Sequence, residues 1–451
     1  VTSVFLNFLK RGHERSIRIK KNAILSFFLT SGGIVIAFVR VPILLDYLGA
    51  TQYGIWLVLV STISWFRFFN MGLGSGLRNK LSESLANDDF EKARVYVTTT
   101  YFVLATIITI IYTAFLAVYP FVNWRAIFNA PDSLSNEIGV VVFIFATAYC
   151  IEIIFNLISS IFEADQKPSL TNLRGFLTNI LFLIFLLLLK YFVPSSLVFT
   201  SILFYFSSIC IFFIFYVYFF WRRYSFLRPS FRYFRIDCIR ELTSLGLKFF
   251  VLQITAIILY STDNMIVTQV SGPNEVSVYH IANKYMSIGF MGFTIIAEPL
   301  WSAFTDAFTR NDIRWIKWVM KKTLMVWIGI FTLCCFQFVF SDFFFGIWVG
   351  DRIQVPHLLT FLMGVFTIVR CWNLPFVYFL NGVGTIKLQL YIGIFIICLN
   401  IPLSLFFAIY TGLGPNGVIL GTVLCILISS LVSPIQYRKI INNKAKGIWG
   451  Q

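Results

Sequence analysis

The sequence predicts an all-α, polytopic membrane protein of about twelve transmembrane helices in two six-helix bundles, and three observations predict it. Of its 451 residues, 58% are hydrophobic and 12% charged, and the mean hydropathy is +0.81. A soluble fold of this size needs more polar cover than that. The apolar residues come in runs of about 20, each able to cross roughly 30 Å of hydrocarbon as a helix. The basic residues sit in alternate connections between those runs, which is how helices are oriented in a bilayer. Helices satisfy their own backbone groups, as hydrocarbon requires. The apolar–polar alternation of a porin-type barrel is absent.

Taken in order, the first span, 22–45, follows a basic stretch holding Lys10, Arg11, Arg15, Arg18, Lys20 and Lys21. It is too long for a signal peptide and lacks a small-residue cleavage site. Phe5, Phe8 and Leu9 before it predict a surface-lying amphipathic segment. The second span, 54–72, leads into Gly72-Leu73-Gly74-Ser75-Gly76-Leu77-Arg78-Asn79-Lys80. The glycines suggest a phosphate loop, but no Gly-Lys-Ser/Thr follows and no strand precedes, so the nucleotide reading fails. Leu73, Leu77, Leu81 and Leu85 are spaced by four and predict a helix lying at the membrane interface. Spans 95–118, 138–161, 175–192 and 197–220 complete the first half. The basic segment Trp221–Lys248 joins it to spans 247–270, 276–299, 322–342, 357–380, 388–410 and 415–436. The expected domains are therefore 1–235 and 236–451, the second ending in a short basic tail.

The net charge of +16 invites a nucleic-acid partner, and its distribution argues against one. With the N-terminus inside, the inside connections hold 29 of the 36 Lys and Arg residues, and the outside connections hold only Arg125, Lys190 and Arg352. Both termini are expected in the cytoplasm, which fits an even number of spans. No outside connection is large enough to fold alone. The eight cysteines lie mostly within apolar spans without a CxxC pair, and the three histidines are scattered. Neither a metal site nor a disulfide framework is expected.

An internal repeat recurs at an offset of 223 residues. Gly49 falls on Gly272, Glu83 on Asp306, and Asn87-Asp88-Asp89-Phe90 on Arg310-Asn311-Asp312-Ile313. The shared order is a span, a Gly turn, a span, an amphipathic segment and a span. An even span offset makes the halves parallel repeats, an architecture that suits a central cavity and alternating access.

Charges inside spans carry the functional argument. Arg40, Arg67, Lys284 and Arg370 fall at hydrocarbon depth, as do Glu152 and Asp263. Each costs about 2.5–3.5 kcal/mol on insertion scales unless it faces a partner or a watery cavity. Four cations against two anions point to an anionic ligand such as phosphate or pyrophosphate, which Arg grips bidentately. The bland alternatives are a pairing of Arg40 with Asp263 and snorkelling of Lys284 and Arg67 to an interface. Glu152, with Asn156, and Asp263-Asn264 are candidate proton or cation sites, or else helix-to-helix polar contacts. Tyr279, His280, Asn283, Asn373 and Asn381 are either lining for a polar solute or packing.

Tyr47-Leu48-Gly49-Ala50-Thr51-Gln52-Tyr53-Gly54-Ile55-Trp56, followed by the Gly72–Lys80 stretch, resembles the opening of Wzx-type polysaccharide flippases. Tyr279-His280-Ile281-Ala282-Asn283-Lys284-Tyr285 and Leu380-Asn381-Gly382-Val383-Gly384 are similar, and the resemblance covers essentially the whole chain. That family lies in the multidrug/oligosaccharidyl-lipid/polysaccharide (MOP) superfamily. The resemblance implies two six-helix, MATE-like bundles around a central cavity in the bacterial inner membrane. It implies flipping of an undecaprenyl-pyrophosphate-linked oligosaccharide, an O-antigen or capsule repeat unit, to the periplasmic leaflet. Arg40, Arg67 and Lys284 match the family's cationic cavity residues by position and would hold the substrate, with Arg370 a further candidate from its depth in span ten. Coupling would be to H⁺ or Na⁺ through Glu152 and Asp263, with no bound cofactor and no enzymatic step. Expected partners are the lipid-linked substrate, membrane lipid, and the polysaccharide polymerase and chain-length regulator. The rivals are a multidrug or cation antiporter of the same superfamily, whose cavity would be acidic, and a polysaccharide-assembly protein without transport.

Overall fold

The computed structural model describes residues 14–64, 72–165, 167–242, 261–297, 300–309 and 311–450. The described residues are overwhelmingly helical and contain no strand. They divide into two compact units, Val1–Gly49 with Ile63–Phe250, and Ala50–Thr62 with Val251–Gln451.

The first unit begins with α1 (Glu14–Ser64) as far as Gly49, where the helix bends at φ 73°. It continues through α2 (Leu73–Ala86), α3 (Phe90–Val118), the short α4 (Trp124–Phe128), α5 (Ser135–Ala164), α6 (Pro168–Phe192) and α7 (Leu197–Tyr218). A π turn, Phe219–Arg223, prolongs α7. The second unit takes the distal part of α1, a helical stretch at 261–271, α8 (Pro273–Met286), α9 (Ile288–Ala297), α10 (Leu300–Thr309) and α11 (Ile313–Val339). α12 (Ser341–Trp348), α13 (His357–Val383), α14 (Lys387–Leu405) and α15 (Pro415–Ile441) complete it, with a π turn, Phe406–Tyr410, after α14.

Among the described residues nine helices are long and apolar enough to cross a membrane. They account for ten of the expected twelve spans, all but the seventh and eighth. α1 carries both the first span and much of the second. The expected seventh span is described only from residue 261. The expected eighth is not continuous. It breaks between α8 and α9 at Ser287, whose hydroxyl donates to the Lys284 carbonyl at 3.0 Å. A serine bonding to nearby backbone competes with helix propagation, and an apolar run does not reveal that competition.

α2 differs from its expectation. Leu73, Leu77 and Leu81 are 1%, 0% and 0% exposed, and they pack with Tyr96 and Val97 of α3 and Ile158, Ile161 and Phe162 of α5. The apolar face is covered by protein rather than lipid, each leucine contributing about 2 kcal/mol relative to water. Gly76 permits a closer approach still, since a Cβ there would lie 2.1 Å from the Leu242 carbonyl oxygen. Tyr96 donates to Glu241 at 2.7 Å beside this contact.

The second unit repeats the pattern. Phe304 of α10 packs with Ile316 and Met320 of α11 and with Phe376 and Phe379 of α13. The 223-residue offset is written into the backbone. Gly49 and Gly272 both have positive φ, 73° and 93°. Asp88 and Asn311 are left-handed at 56° and 55°. Asp89 and Asp312 then cap α3 and α11, accepting from the backbone N–H groups of Lys92 and Trp315 at 3.0 Å each.

Within the second unit, residues 50–62 lie against α8. A Cβ on Gly54 would meet the Pro273 carbonyl oxygen at 1.8 Å, so only glycine fits. Tyr53 hydrogen-bonds His280 at 3.2 Å, and the Ser277 hydroxyl donates to the Ala50 carbonyl.

Candidate functional site

In the first unit, half-buried Arg40 projects from α1 to α6, donating from Nη1 to Asn179 Oδ1 at 3.3 Å, with its guanidinium carbon 5.3 Å from the Phe182 ring centroid. The fit follows from α6 itself, on which Asn179 and Phe182 stand three residues apart and so share a face. Glu152, half-buried on α5, lies within electrostatic reach of Arg174 on α6 and Tyr205 on α7. The sequence places Arg174 in a connection. The structure places it inside α6, where its guanidinium stacks 4.0 Å from the Phe212 ring centroid. Arg174 Nε is buried without a hydrogen-bond partner, as are the hydroxyls of Thr171 and Thr178. Spacings of three and four put these three side chains on one face of α6, so a polar seam with open hydrogen-bonding capacity runs along it.

In the second unit, Asp263 is 6% exposed. It accepts from Tyr279 Oη at 2.7 Å and from Thr422 Oγ1 at 3.1 and 3.2 Å. Asn400, fully buried on α14, donates to Thr422 Oγ1 at 3.1 Å, while its own Oδ1 has no partner. Among the described residues no basic side chain pairs with Asp263. The donors around it are carboxylate, hydroxyl and amide oxygens, the set that hard cations prefer. Hydrogen bonds from two hydroxyls offset part of the desolvation of a buried carboxylate, and a proton or a cation would offset the rest.

The other expected site residues lie apart from this cluster. Arg370, on α13, stacks 3.8 Å from the Phe290 ring centroid and 5.1 Å from that of Phe366. Half-buried Lys284 occupies the last turn of α8, one turn beyond His280. Arg67 lies outside the described residues. Within the first unit Arg40 meets Asn179, and within the second Asp263 meets Tyr279 and Thr422. Asn373 donates to Ser429 at 3.0 Å, a helix-to-helix contact.

Thr422 and Asn400 are not expected from the sequence, and Arg174 is expected only as a basic residue of a connection. A lone asparagine amid Ile-Ile-Cys-Leu-Asn-Ile-Pro-Leu was the available signal for Asn400, because an amide in hydrocarbon needs a partner. Thr422 carries no such signal, since its hydroxyl could equally have bonded its own helix.

A family model described as polysaccharide biosynthesis protein matches residues 19–303. A Salmonella typhi protein named as an O-antigen transporter is 22% identical over 392 residues, covering 83% of this chain and 86% of that protein. A Yersinia pseudotuberculosis protein named for O-antigen export is 24% identical over 372 residues, covering 78% and 81%. Among solved structures, the inward-facing conformation of a MATE family multidrug resistance transporter of the MOP superfamily superposes with a TM-score of 0.76 at 16% identity, over 94% of this chain and 98% of that one. An outward-facing MATE conformation gives 0.66 at 17% identity, over 97% and 98%. The MATE-like fold is thereby established.

Proposed function

Because this chain belongs to the polysaccharide biosynthesis protein family, a family of membrane transporters, we propose that it flips an undecaprenyl-pyrophosphate-linked oligosaccharide across the bacterial inner membrane by alternating access. The observation that carries the proposal is the pair of relatives named for O-antigen transport and export, each aligned over about four-fifths of both chains. The charges fit the cargo. Arg40 donates to Asn179 and lies beside the Phe182 ring, contacts that orient its guanidinium. Such a group replaces part of the hydration that a pyrophosphate loses on leaving water. Lys284 and Arg370 are assigned the same role in the second unit. The polyprenyl tail needs no protein site, because hydrocarbon is its solvent.

Asp263 is the proposed coupling residue. Neutralised by H⁺ or Na⁺, its carboxylate is compatible with burial; ionised and bare, it is costly by several kcal/mol. Loading and unloading of that one charge gives an ion gradient a way to bias the two states of a carrier. Glu152, already facing Arg174, is the second candidate.

The test is a flipping assay in proteoliposomes with a labelled undecaprenyl-pyrophosphate oligosaccharide, with and without H⁺ or Na⁺ gradients. Wild type should move the lipid. Arg40→Gln and Lys284→Gln should slow it at least tenfold, about 1.4 kcal/mol. Asp263→Asn should retain movement but lose its response to the gradient. Folded protein that moves no lipid-linked sugar under either gradient, and instead exports a cationic dye, would sink the proposal.

A further inference from the structure

A shallow groove runs along the exposed face of α7 and its π turn, lined by Phe213, Ile214, Val217, Tyr218, Trp221 and Arg222. Exposed apolar residues are ordinary on a membrane helix. The end of this groove is not ordinary. The π turn Phe219–Arg223 widens the helix there, and Arg222 lines that end of the groove. Arg228 folds back so that its guanidinium carbon lies 4.6 Å from the Trp221 ring centroid. Both arginines are exposed, and among the described residues neither has an acidic partner. The loop carrying Arg228 is anchored on the first unit. The Arg228 carbonyl accepts from Arg94 Nε at 3.0 Å, Tyr224 donates to Asp165 at 2.7 Å, and Thr99 Oγ1 accepts from the Arg235 N–H at 3.2 Å. The second guanidinium is therefore positioned before any ligand arrives, which reduces the entropy cost of binding one.

We propose that this groove binds one anionic phospholipid of the surrounding leaflet, its phosphate held by Arg222 and Arg228 and one acyl chain lying along Phe213, Val217 and Tyr218. Two guanidinium groups at the mouth of an apolar channel complement a phosphate on a hydrocarbon stem. Length selects the occupant. Phe213 to Arg222 spans about 13 Å of helix, close to half of the roughly 30 Å hydrocarbon core. That suits an acyl chain confined to one leaflet, whereas a polyprenyl tail would overrun it.

Native mass spectrometry of the full chain, released from detergent after incubation with phosphatidylglycerol or phosphatidylcholine, tests this. Wild type should retain one phosphatidylglycerol in preference to phosphatidylcholine. The double variant Arg222→Gln/Arg228→Gln should lose that preference by roughly tenfold to thirtyfold, on the order of 1 kcal/mol per arginine. The variant Arg232→Gln/Arg235→Gln, with equal charge removed from the same loop, should keep it. Equal retention in both double variants and wild type, or equal loss in both, would overturn the site in favour of diffuse basic charge. A polyprenyl pyrophosphate that displaces phosphatidylglycerol from wild type at equal concentration would overturn the assigned occupant. If the double variant does not fold, Arg228→Gln alone gives the same comparison with half the expected effect.

Discussion

Single atoms decide several of the contacts that matter. Gly76 sits where a methyl group would come within 2.1 Å of the Leu242 carbonyl oxygen. Backbone cannot give way as a side-chain tip can, so Gly76→Ala should cost about 1–3 kcal/mol, read as a lower melting temperature in detergent; an unchanged melting temperature would refute the contact. Arg174 and Glu152 make a sharper case. Removing either charge leaves the other in a low-dielectric setting, while removing both leaves an amide pair. Glu152→Gln and Arg174→Gln should each destabilise by about 1 kcal/mol, and the double variant by less than the sum, with the coupling read from a double-mutant cycle. Additive effects would show that the two groups do not interact. At this scale the sequence is least legible. It put Asp263 and Glu152 within apolar runs, which followed from hydropathy alone. It could not say that Asp263 meets Thr422, 159 residues away, because hydroxyl partners leave no mark in composition.

Elements were easier to read than their surroundings. The four-residue spacing of Leu73, Leu77 and Leu81 identified an amphipathic helix, but not whether lipid or protein would cover its apolar side. The answer depends on α3 and α5, which no local pattern specifies. The π turns after α7 and α14 and the break at Ser287 were likewise invisible, being local departures from a helix that hydropathy cannot distinguish from its continuation. The caps were visible in outline. Asp89 and Asp312 fall on each other in the repeat, and each secures the first turn of a long helix. Asp312→Ala should cost about 1 kcal/mol and speed amide exchange across the first turn of α11. An effect spread evenly over the second unit would mean that Asp312 acts through something other than its cap.

At the scale of the molecule, composition and charge asymmetry were enough to specify a twelve-span architecture, because hydrocarbon tolerates so few alternatives. The expected orientation has a direct readout. A fluorescent protein fused after Gln451 should fold and fluoresce, and alkaline phosphatase fused there should be inactive. The reverse pattern would invert the topology. The repeat, weak as sequence identity, is plain in paired glycines and paired caps. Yet the two units are not consecutive pieces of chain, since residues 50–62 belong with the second. That interleaving has an evolutionary and a practical consequence. A duplicated ancestral half would have had to lend a segment to its sister before the pair became one protein. A gene cut in the basic linker would encode a C-terminal fragment missing Tyr53 and Gly54, the residues that pack on α8. Such fragments should depend on each other to mature, so fission of this gene is a step from which neither product easily becomes independent.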